Sequence, residues 1–382
     1  MTEYRLILVA GARPNFMKIA PLMDALADHP YIRPYLVHTG QHYDEKMSAL
    51  FFQQLNIPQP DINLEVGSSS HAVQTALIME RFEKVCLNVK PHMVMVVGDV
   101  NSTAACTLVA AKLHIPTAHY EAGLRSRDRS MPEEINRLVT DAISDYFFTT
   151  SVDADENLIN EGISHQRIFM VGNLMIDSLY KHLKIAEAMD HRVETLDRKR
   201  IIHLGETFQD KKYGIMTFHR PSNVDQPETL AKLVKTWGAI SQEIPLLFPI
   251  HPRTVKNLIK FGLFDILASY ETIYLTEPMG YLEFIYFIYH AAFALTDSGG
   301  IQEETTTLKI PCLTIRPTTE RPITLWEGSN KLIRVEDIEK EVHFILQGKG
   351  KTGNIPKYWD GQSAGRIVKI LEDIFNSSMK RE

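Results

Sequence analysis

Short, continuously apolar runs alternate with longer amphipathic stretches along almost the whole chain. This alternation limits the fold more than any other feature. Leu6-Ile7-Leu8-Val9-Ala10 ends at Gly11, and Tyr35-Leu36-Val37-His38 ends at Thr39-Gly40. Met93-Val94-Met95-Val96-Val97 ends at Gly98-Asp99, Thr117-Ala118-His119-Tyr120 at Glu121, and Tyr146-Phe147-Phe148-Thr149 follows. Helical segments lie between them, from Ile19 to Ala27 after a loop, and from Thr103 to Leu113 in an alanine-rich run. A strand whose residues are nearly all apolar must be covered on both faces. Helices between such strands supply the cover, so the pattern predicts parallel sheets in an α/β fold.

The cycle restarts after a turn at Gly162 to Gln166 and a short strand at Ile168 to Gly172. A charged, loosely apolar stretch from Lys181 to Lys212 precedes a second series: Gly214 to Phe218, Leu246 to Ile250, Thr272 to Leu275, Phe293 to Thr296 and Cys312 to Ile315. Helices such as Thr229 to Gln242 separate these runs. The expectation is two Rossmann-like domains facing across a cleft, residues 1–172 and 173–363. The final helix, Ala364 to Phe375, can return to either half, and 364–382 is a candidate completion of the first. A length of 382 residues fits this count, since about 150 residues per domain gives two or three domains.

Composition narrows the function. The chain is 44% hydrophobic and 23% charged, which excludes disordered, fibrous and collagen-like proteins. Lys plus Arg is 41 against 47 for Asp plus Glu, a net charge of -6, which argues against general nucleic-acid binding. The three cysteines, Cys86, Cys106 and Cys312, are far apart and odd in number, so reduced core residues are expected. The N-terminus lacks the shape of a signal peptide. The longest apolar stretch, Tyr281 to Leu295, is interrupted by Glu283 and His290 and falls short of the ~20 residues that a bilayer crossing needs. A soluble cytoplasmic protein, without nucleic-acid or membrane partners, is expected.

Open parallel sheets bind ligands beyond the carboxyl ends of their strands. The polar signals fall there: Arg13, Asp99, Glu121, His219, His251 and the turn Asp297-Ser298-Gly299-Gly300. That turn follows a strand and opens a helix, the context in which glycines let a phosphate approach backbone N–H groups and the positive end of the helix dipole. Glu304, about one turn into the helix, is placed to accept ribose hydroxyls. The plainer alternative is an ordinary turn capped by Ser298 or Asp297. Arg13 and Lys18 can face an anionic ligand, or simply be solvated cations at a helix start. Glu133-Glu134 after Pro132 can likewise just complement a helix dipole. His219-Arg220 and His251-Pro252-Arg253 repeat a ring and a cation at equivalent positions, which favours function for His219.

Three motif matches are rejected. Gly348-Lys349-Gly350-Lys351-Thr352-Gly353 reads as G-x-G-x-x-G, but it follows a helix-like segment rather than a strand. Asp153-Ala154-Asp155 sits at a helix start, where acids are ordinary. The cysteines and histidines have no zinc spacing.

Taken together, the segments resemble the UDP-N-acetylglucosamine 2-epimerase family. The resemblance is carried by Gly11-Ala12-Arg13-Pro14-Asn15-Phe16-Met17-Lys18, Val97-Gly98-Asp99, Tyr120-Glu121-Ala122-Gly123-Leu124-Arg125 and Pro132-Glu133-Glu134-Ile135-Asn136-Arg137. It continues through His219-Arg220, His251-Pro252-Arg253, Asp297 to Glu304, and Thr319-Glu320-Arg321-Pro322. It runs nearly end to end, in the expected order. It implies a GT-B-like fold, a homodimer, and interconversion of UDP-GlcNAc and UDP-ManNAc in cell-envelope polysaccharide synthesis. Arg13, Ser298, Gly299, Gly300 and Arg321 resemble the contacts to the UDP phosphates. Glu304 resembles the ribose-binding acid, and Phe284 the backbone contact to uracil. Lys18, Asp99, Glu121, Glu133 and His219 resemble the sugar-site and catalytic set. Neither a nicotinamide nor a metal is implied, so no cofactor is expected.

The implied chemistry is loss of a weakly acidic C2 proton as UDP leaves C1, giving 2-acetamidoglucal, followed by re-addition. Such chemistry needs carboxylates of unequal character around one sugar. Which acid is base and which is donor stays open, with Asp99 preferred as base. A hydrolysing relative that releases ManNAc and UDP, or an epimerase of a related UDP-amino sugar, carries nearly the same motifs. The resemblance departs at two places. Many members have Arg-Pro-Glu where this chain has Arg13-Pro14-Asn15. The Gln-His-Arg-x-Met segment tied in bacterial members to an activating UDP-GlcNAc site reads Gln41-His42-Tyr43-Asp44-Glu45-Lys46-Met47 here, without the arginine.

Overall fold

The computed structural model describes residues 3–40, 59–197 and 199–379, the side chains of Arg13, Ser378 and Met379 excepted. The segment Gln41 to Met47, where the second departure falls, lies outside the described residues. The chain divides into two compact units, Met1–Tyr180 with Lys357–Glu382, and Lys181–Pro356. Each is an α/β unit built on a parallel sheet, the Rossmann-like class that the alternating pattern predicts.

The first unit holds β1 (Tyr4–Ala10), β2 (Ile32–His38), β3 (Ile62–Asn63), β4 (Met93–Val97), β5 (Thr117–Tyr120), β6 (Tyr146–Thr149) and β7 (Ile168–Met170), in the spatial order β3-β2-β1-β4-β5-β6-β7. Every pairing is parallel. On one face, Ile7, Val9, Val94 and Val96 pack with Ile78, Phe82, Cys106 and Ala110 of the helices His71–Val89 and Asn101–Lys112. All five residues of β4 are buried, because helices cover both faces of this central strand.

The last helix, Ser363–Met379, belongs to this unit. Tyr4 stacks on Phe375 with ring centroids 4.5 Å apart. Asp177 accepts from the backbone N–H groups of Ser363 at 3.1 Å and Ala364 at 2.8 Å, capping the helix start. The helix Leu174–Glu187 carries the chain across the boundary between units, beyond the Gly172 turn where the strand pattern restarts.

The second unit holds a small antiparallel pair, β8 (Val193–Glu194) and β9 (Ile201–Ile202), and a parallel sheet. The sheet strands are β10 (Gly214–Thr217), β11 (Leu246–Pro249), β12 (Ile273–Thr276), β13 (Phe293–Thr296), β14 (Cys312–Ile315) and β15 (Asn330–Ile333), ordered β12-β11-β10-β13-β14-β15. Alternation along these strands feeds two cores. Leu246, Phe248, Phe293 and Leu295 join Trp237 on one face, whereas Leu247, Ala294 and Ile215 join Phe287 and Ile288 on the other.

One local expectation is corrected, and the structure adds elements that the pattern left unassigned. The first helix starts at Arg13, not near Ile19, because Asn15 caps it from inside. The charged stretch Lys181 to Lys212 finishes a helix and forms the β8–β9 pair. The edge strands β3 and β15 have too weak an apolar signal to be read from the sequence.

Candidate active site

In the first sheet the chain progresses outward from β1 in both directions, so β1 and β4 flank the switch point, the place at whose carboxyl edge open parallel sheets take ligands. Asn15 fixes this edge. Its Oδ1 accepts from the N–H of Gly11 at 3.0 Å and of Ala12 at 2.8 Å, and its Nδ2 donates to the Val97 carbonyl at 3.0 Å. A glutamate there could accept but not donate, so the asparagine of this chain is a structural requirement of these bonds.

One turn along the same helix, Lys18 Nζ lies 2.5 Å from Glu121 Oε2, with side-chain exposures of only 8% and 4%. Glu121 follows β5 with φ of 70°, a left-handed conformation. Its N–H is held by the Phe148 carbonyl at 3.0 Å. Gly98, at φ of 73°, lies against the pair: a Cβ there would stand 3.1 Å from Asn15 Nδ2 and 3.3 Å from Glu121 Oε2. Only glycine meets both demands.

Asp99 follows Gly98. Its Oδ2 lies 2.5 Å from Arg137 Nη1, and its side chain is 31% exposed. Arg137, nearly wholly buried, also holds Glu134 through Nε at 3.0 Å and Nη2 at 2.7 Å. Glu134 in turn accepts from the N–H groups of Ser126 and Arg127, both at 2.9 Å. Burial opposes ionisation of Glu134, but these bonds and the Arg137 charge outweigh it, and its carboxyl is held below the ordinary range. Glu134 is thus the buried organiser of the loop, and Glu133, half-buried in the first turn of the helix Pro132–Ile143, is the more accessible of the two acids.

The second sheet has its switch point between β10 and β13. A cavity of about 330 Å³ opens there, lined by His219, His251, Tyr281, Phe284, Ser298, Gly300 and Glu304 among others. Ser298 occupies the N-cap position of the helix Gly299–Leu308, but its side chain makes no capping bond. The capped-turn alternative therefore does not describe Ser298, and the uncapped N–H groups of the first turn suit an anion. Asp297 does not cap either: wholly buried, it accepts from the N–H of His219 at 3.1 Å and of Arg220 at 2.9 Å, and from Asn223 Nδ2 at 3.1 Å. Its Oδ1 stands 3.2 Å from His219 Nδ1, so the ring of His219 is oriented by a buried acid.

The two glycines differ. A Cβ on Gly299 would meet Glu320 Oε1 at 2.7 Å, whereas one on Gly300 would meet nothing within 4 Å. The first keeps the helix close to the Arg316–Glu320 pair, and the second leaves room over the helix end. Burial works against ionisation of Glu320, yet Arg321 and Arg316 bring its carboxyl down to about 2.

Glu304 is buried, and this burial pushes its carboxyl up to about 7, with Glu303 adding to the shift and Tyr281 opposing it. The Tyr281 hydroxyl is buried beside Glu304 without a hydrogen bond of ordinary geometry among the described residues. His251 is driven toward the neutral form by burial and by the nearby His219 and Arg253, and its ring lies 5.6 Å from that of His219.

The sequence-derived residues thus fall into two groups. Lys18, Asp99, Glu121 and Glu133 gather at the carboxyl edge of the first sheet. His219, Phe284, Ser298, Gly300 and Glu304 line the cavity of the second unit, with Gly299 at its helix end. Arg321 is not among the cavity residues: its Nε lies 2.7 Å from Glu303 Oε1. The Arg13 side chain lies outside the described residues. Sequence reading missed Arg137, whose partner Asp99 is 38 positions away, and Arg316. Arg316 follows β14 directly, the same strand-end signal that marked the others, and its buried Nη1 has no hydrogen bond among the described residues.

Known proteins match this chain over nearly its full length. The sequence matches the family model for UDP-N-acetylglucosamine 2-epimerase over residues 24–372. It is 43% identical to the UDP-N-acetylglucosamine 2-epimerase of Methanocaldococcus jannaschii, covering 96% of this chain and 98% of that protein. A Pseudomonas aeruginosa UDP-2,3-diacetamido-2,3-dideoxy-D-glucuronate 2-epimerase is 36% identical, covering 96% of this chain and 99% of its own. The crystal structure of the M. jannaschii enzyme with UDP-GlcNAc and UDP superimposes with a TM-score of 0.83 at 42% identity, covering 96% and 99% of the two chains. That of Neisseria meningitidis UDP-GlcNAc 2-epimerase bound to UDP-GlcNAc gives 0.83 at 28% identity, covering 97% and 100%. The α/β fold, the strand-end acids and these likenesses agree, and the chain belongs to the UDP-N-acetylglucosamine 2-epimerase family.

Proposed function

We propose that this protein reversibly epimerises UDP-GlcNAc to UDP-ManNAc without hydrolysis. The observation that carries the reading is the unequal setting of two strand-end acids: Glu121 sealed against Lys18, and Asp99 part-exposed against Arg137. Two carboxylates in different surroundings suit two opposite proton transfers.

One carboxylate takes the C2 proton. The C2–H electron pair becomes the C1–C2 double bond, and the C1–O pair leaves with UDP. Asp99 is the preferred base, and Glu121 and Glu133 are the candidates to return a proton to the other face of C2. As a proton returns, a UDP oxygen re-forms the bond to C1. Charge building on the departing diphosphate is met by the uncapped helix end at Ser298–Gly300, by His219 and by Arg13 and Arg321. Glu304 accepts ribose hydroxyls, and the Phe284 backbone meets uracil. Lys18 holds Glu121 in place and faces the sugar. No cofactor takes part.

The P. aeruginosa relative supports a second reading, in which the sugar is a related UDP-amino sugar. Family resemblance further supports a cytoplasmic homodimer that supplies a sugar donor for cell-envelope polysaccharide.

The reaction run in D2O with UDP-GlcNAc tests the proposal. Deuterium at C2 of both UDP-sugars, reaching a stable mixture, is the expected result. Irreversible release of ManNAc identifies a hydrolase instead, and no exchange with any UDP-sugar rejects epimerisation. Asp99→Asn, Glu121→Gln and His219→Ala are each expected to slow turnover at least about 100-fold.

A further inference from the structure

His119 lies on β5, wholly buried, two residues before Glu121. Its Nε2 is 2.9 Å from the carbonyl oxygen of Gly98, and its Nδ1 is 2.6 Å from Asp141 Oδ1. The Gly98 carbonyl belongs to the peptide that leads into Asp99. Asp141 reaches the other acid: its Oδ2 accepts from the Gly123 N–H at 3.0 Å and pairs with Arg125 Nη1 at 2.7 Å, just beyond Glu121.

A carbonyl oxygen can only accept, so Nε2 must carry a hydrogen. A carboxylate also accepts, and the Gly123 N–H and the Arg125 guanidinium both favour Asp141 in that form. Burial alone would raise the Asp141 carboxyl, but His119 and Arg125 outweigh it and hold it below the ordinary carboxylate range. Both ring nitrogens of His119 then act as donors.

We propose that His119 is a positioning residue, a buried imidazolium that bridges the Gly98 carbonyl to Asp141 and thereby sets Asp99 and Glu121 at their working separation. It touches no substrate. Its effect runs through the backbone on either side of the two acids. This inference rests on the epimerase reading, because it assigns His119 a share in that reaction's geometry.

The two bonds can be removed one at a time. In His119→Asn the amide nitrogen takes the place of Nδ1, so the Asp141 bond is kept and the Gly98 bond is lost. In His119→Gln the amide nitrogen takes the place of Nε2, so the Gly98 bond is kept. We expect kcat for C2 deuterium exchange to fall about 100-fold in His119→Asn, the scale of an acid displaced by about 1 Å. His119→Gln keeps the Gly98 bond but loses Asp141, and should also lose at least about tenfold, because the bridge needs both ends. Affinity for UDP should stay unchanged in both, since the cavity that takes the nucleotide is built from other residues. Wild-type activity in either variant overturns the proposal, as does a loss that appears equally in UDP affinity.

A measurement on the unaltered protein stands if either variant fails to fold. With ¹⁵N-labelled histidine, both His119 ring nitrogens are expected to carry the hydrogens that their two acceptors require, and a bare ring nitrogen overturns the bridge. Absence of C2 exchange in the wild type would reject the epimerase reading itself, and the ring-nitrogen measurement would still decide the bridge.

Discussion

Lys18 Nζ and Glu121 Oε2 stand 2.5 Å apart with both side chains almost fully buried. Removing one partner leaves an uncompensated buried charge, whereas removing both does not. Lys18→Met and Glu121→Leu are each expected to cost about 3 kcal/mol, and the double variant clearly less than the sum. Urea unfolding of the four proteins measures this. Additive single effects would show that the pair is not coupled.

Arg137 serves two acids at once, with three bonds of fixed geometry to Asp99 and Glu134. A lysine has the charge but not the planar fork. Arg137→Lys is therefore expected to lower kcat about 100-fold, since Asp99 loses its alignment. Limited proteolysis at Ser126–Arg127 should also quicken, because Glu134 no longer holds those N–H groups. A variant with wild-type kinetics would remove Arg137 from the site.

Gly299 and Gly300 are neighbours with opposite surroundings, and alanine distinguishes them. Gly299→Ala must displace Glu320 from its place beside Arg316, and is expected to lower the melting temperature. Gly300→Ala meets open space, and gains up to about 1 kcal/mol of helix propensity. Its methyl group nevertheless enters the cavity at the helix end, so UDP affinity should drop while the fold does not weaken. Thermal unfolding and calorimetric titration with UDP read the two effects separately.

Glu304 gives a pH dependence with a definite sign. Burial raises its folded-state value from 4.5 to about 7. Between those values the folded chain keeps a proton that the unfolded chain has lost, so stability falls as pH rises and the penalty is complete above about pH 7. Glu304→Gln should thus melt higher than wild type at about pH 8, with the gap closing by about pH 5. Uridine hydroxyls donate to the ionised carboxylate, so uridine affinity should climb as pH rises through about 7, the value to which burial pushes Glu304. Uridine is the right probe because it has no phosphate to titrate. A flat profile would exclude Glu304 from ribose binding.

Much of the site was legible because strand ends announce themselves. A run such as Met93 to Val97 is apolar throughout, so Asp99 after it is conspicuous, and the same contrast marks Glu121, His219 and the Asp297–Gly300 turn. Roles within those clusters were less legible. Glu133 and Glu134 are adjacent and identical in type, yet Glu134 is buried against Arg137 while Glu133 is half-buried. Asp297 has the pattern of a helix cap, but it turns instead to the backbone after β10. Arg321, read from the sequence as a phosphate contact, also pairs with Glu303, a partner that no local pattern announces.

The order of apolar and amphipathic segments by itself determined two parallel α/β sheets and put the chemically able residues at their carboxyl edges. Periodicity and burial are local properties, readable along one dimension. Only the tertiary structure decided which cation meets which acid. Lys18 and Glu121 are 103 positions apart, and Arg137 and Asp99 are 38 apart. Pairs so distant are set by strand order and by the few ångströms over which charges in a buried site act strongly, and neither leaves a trace in a single sequence.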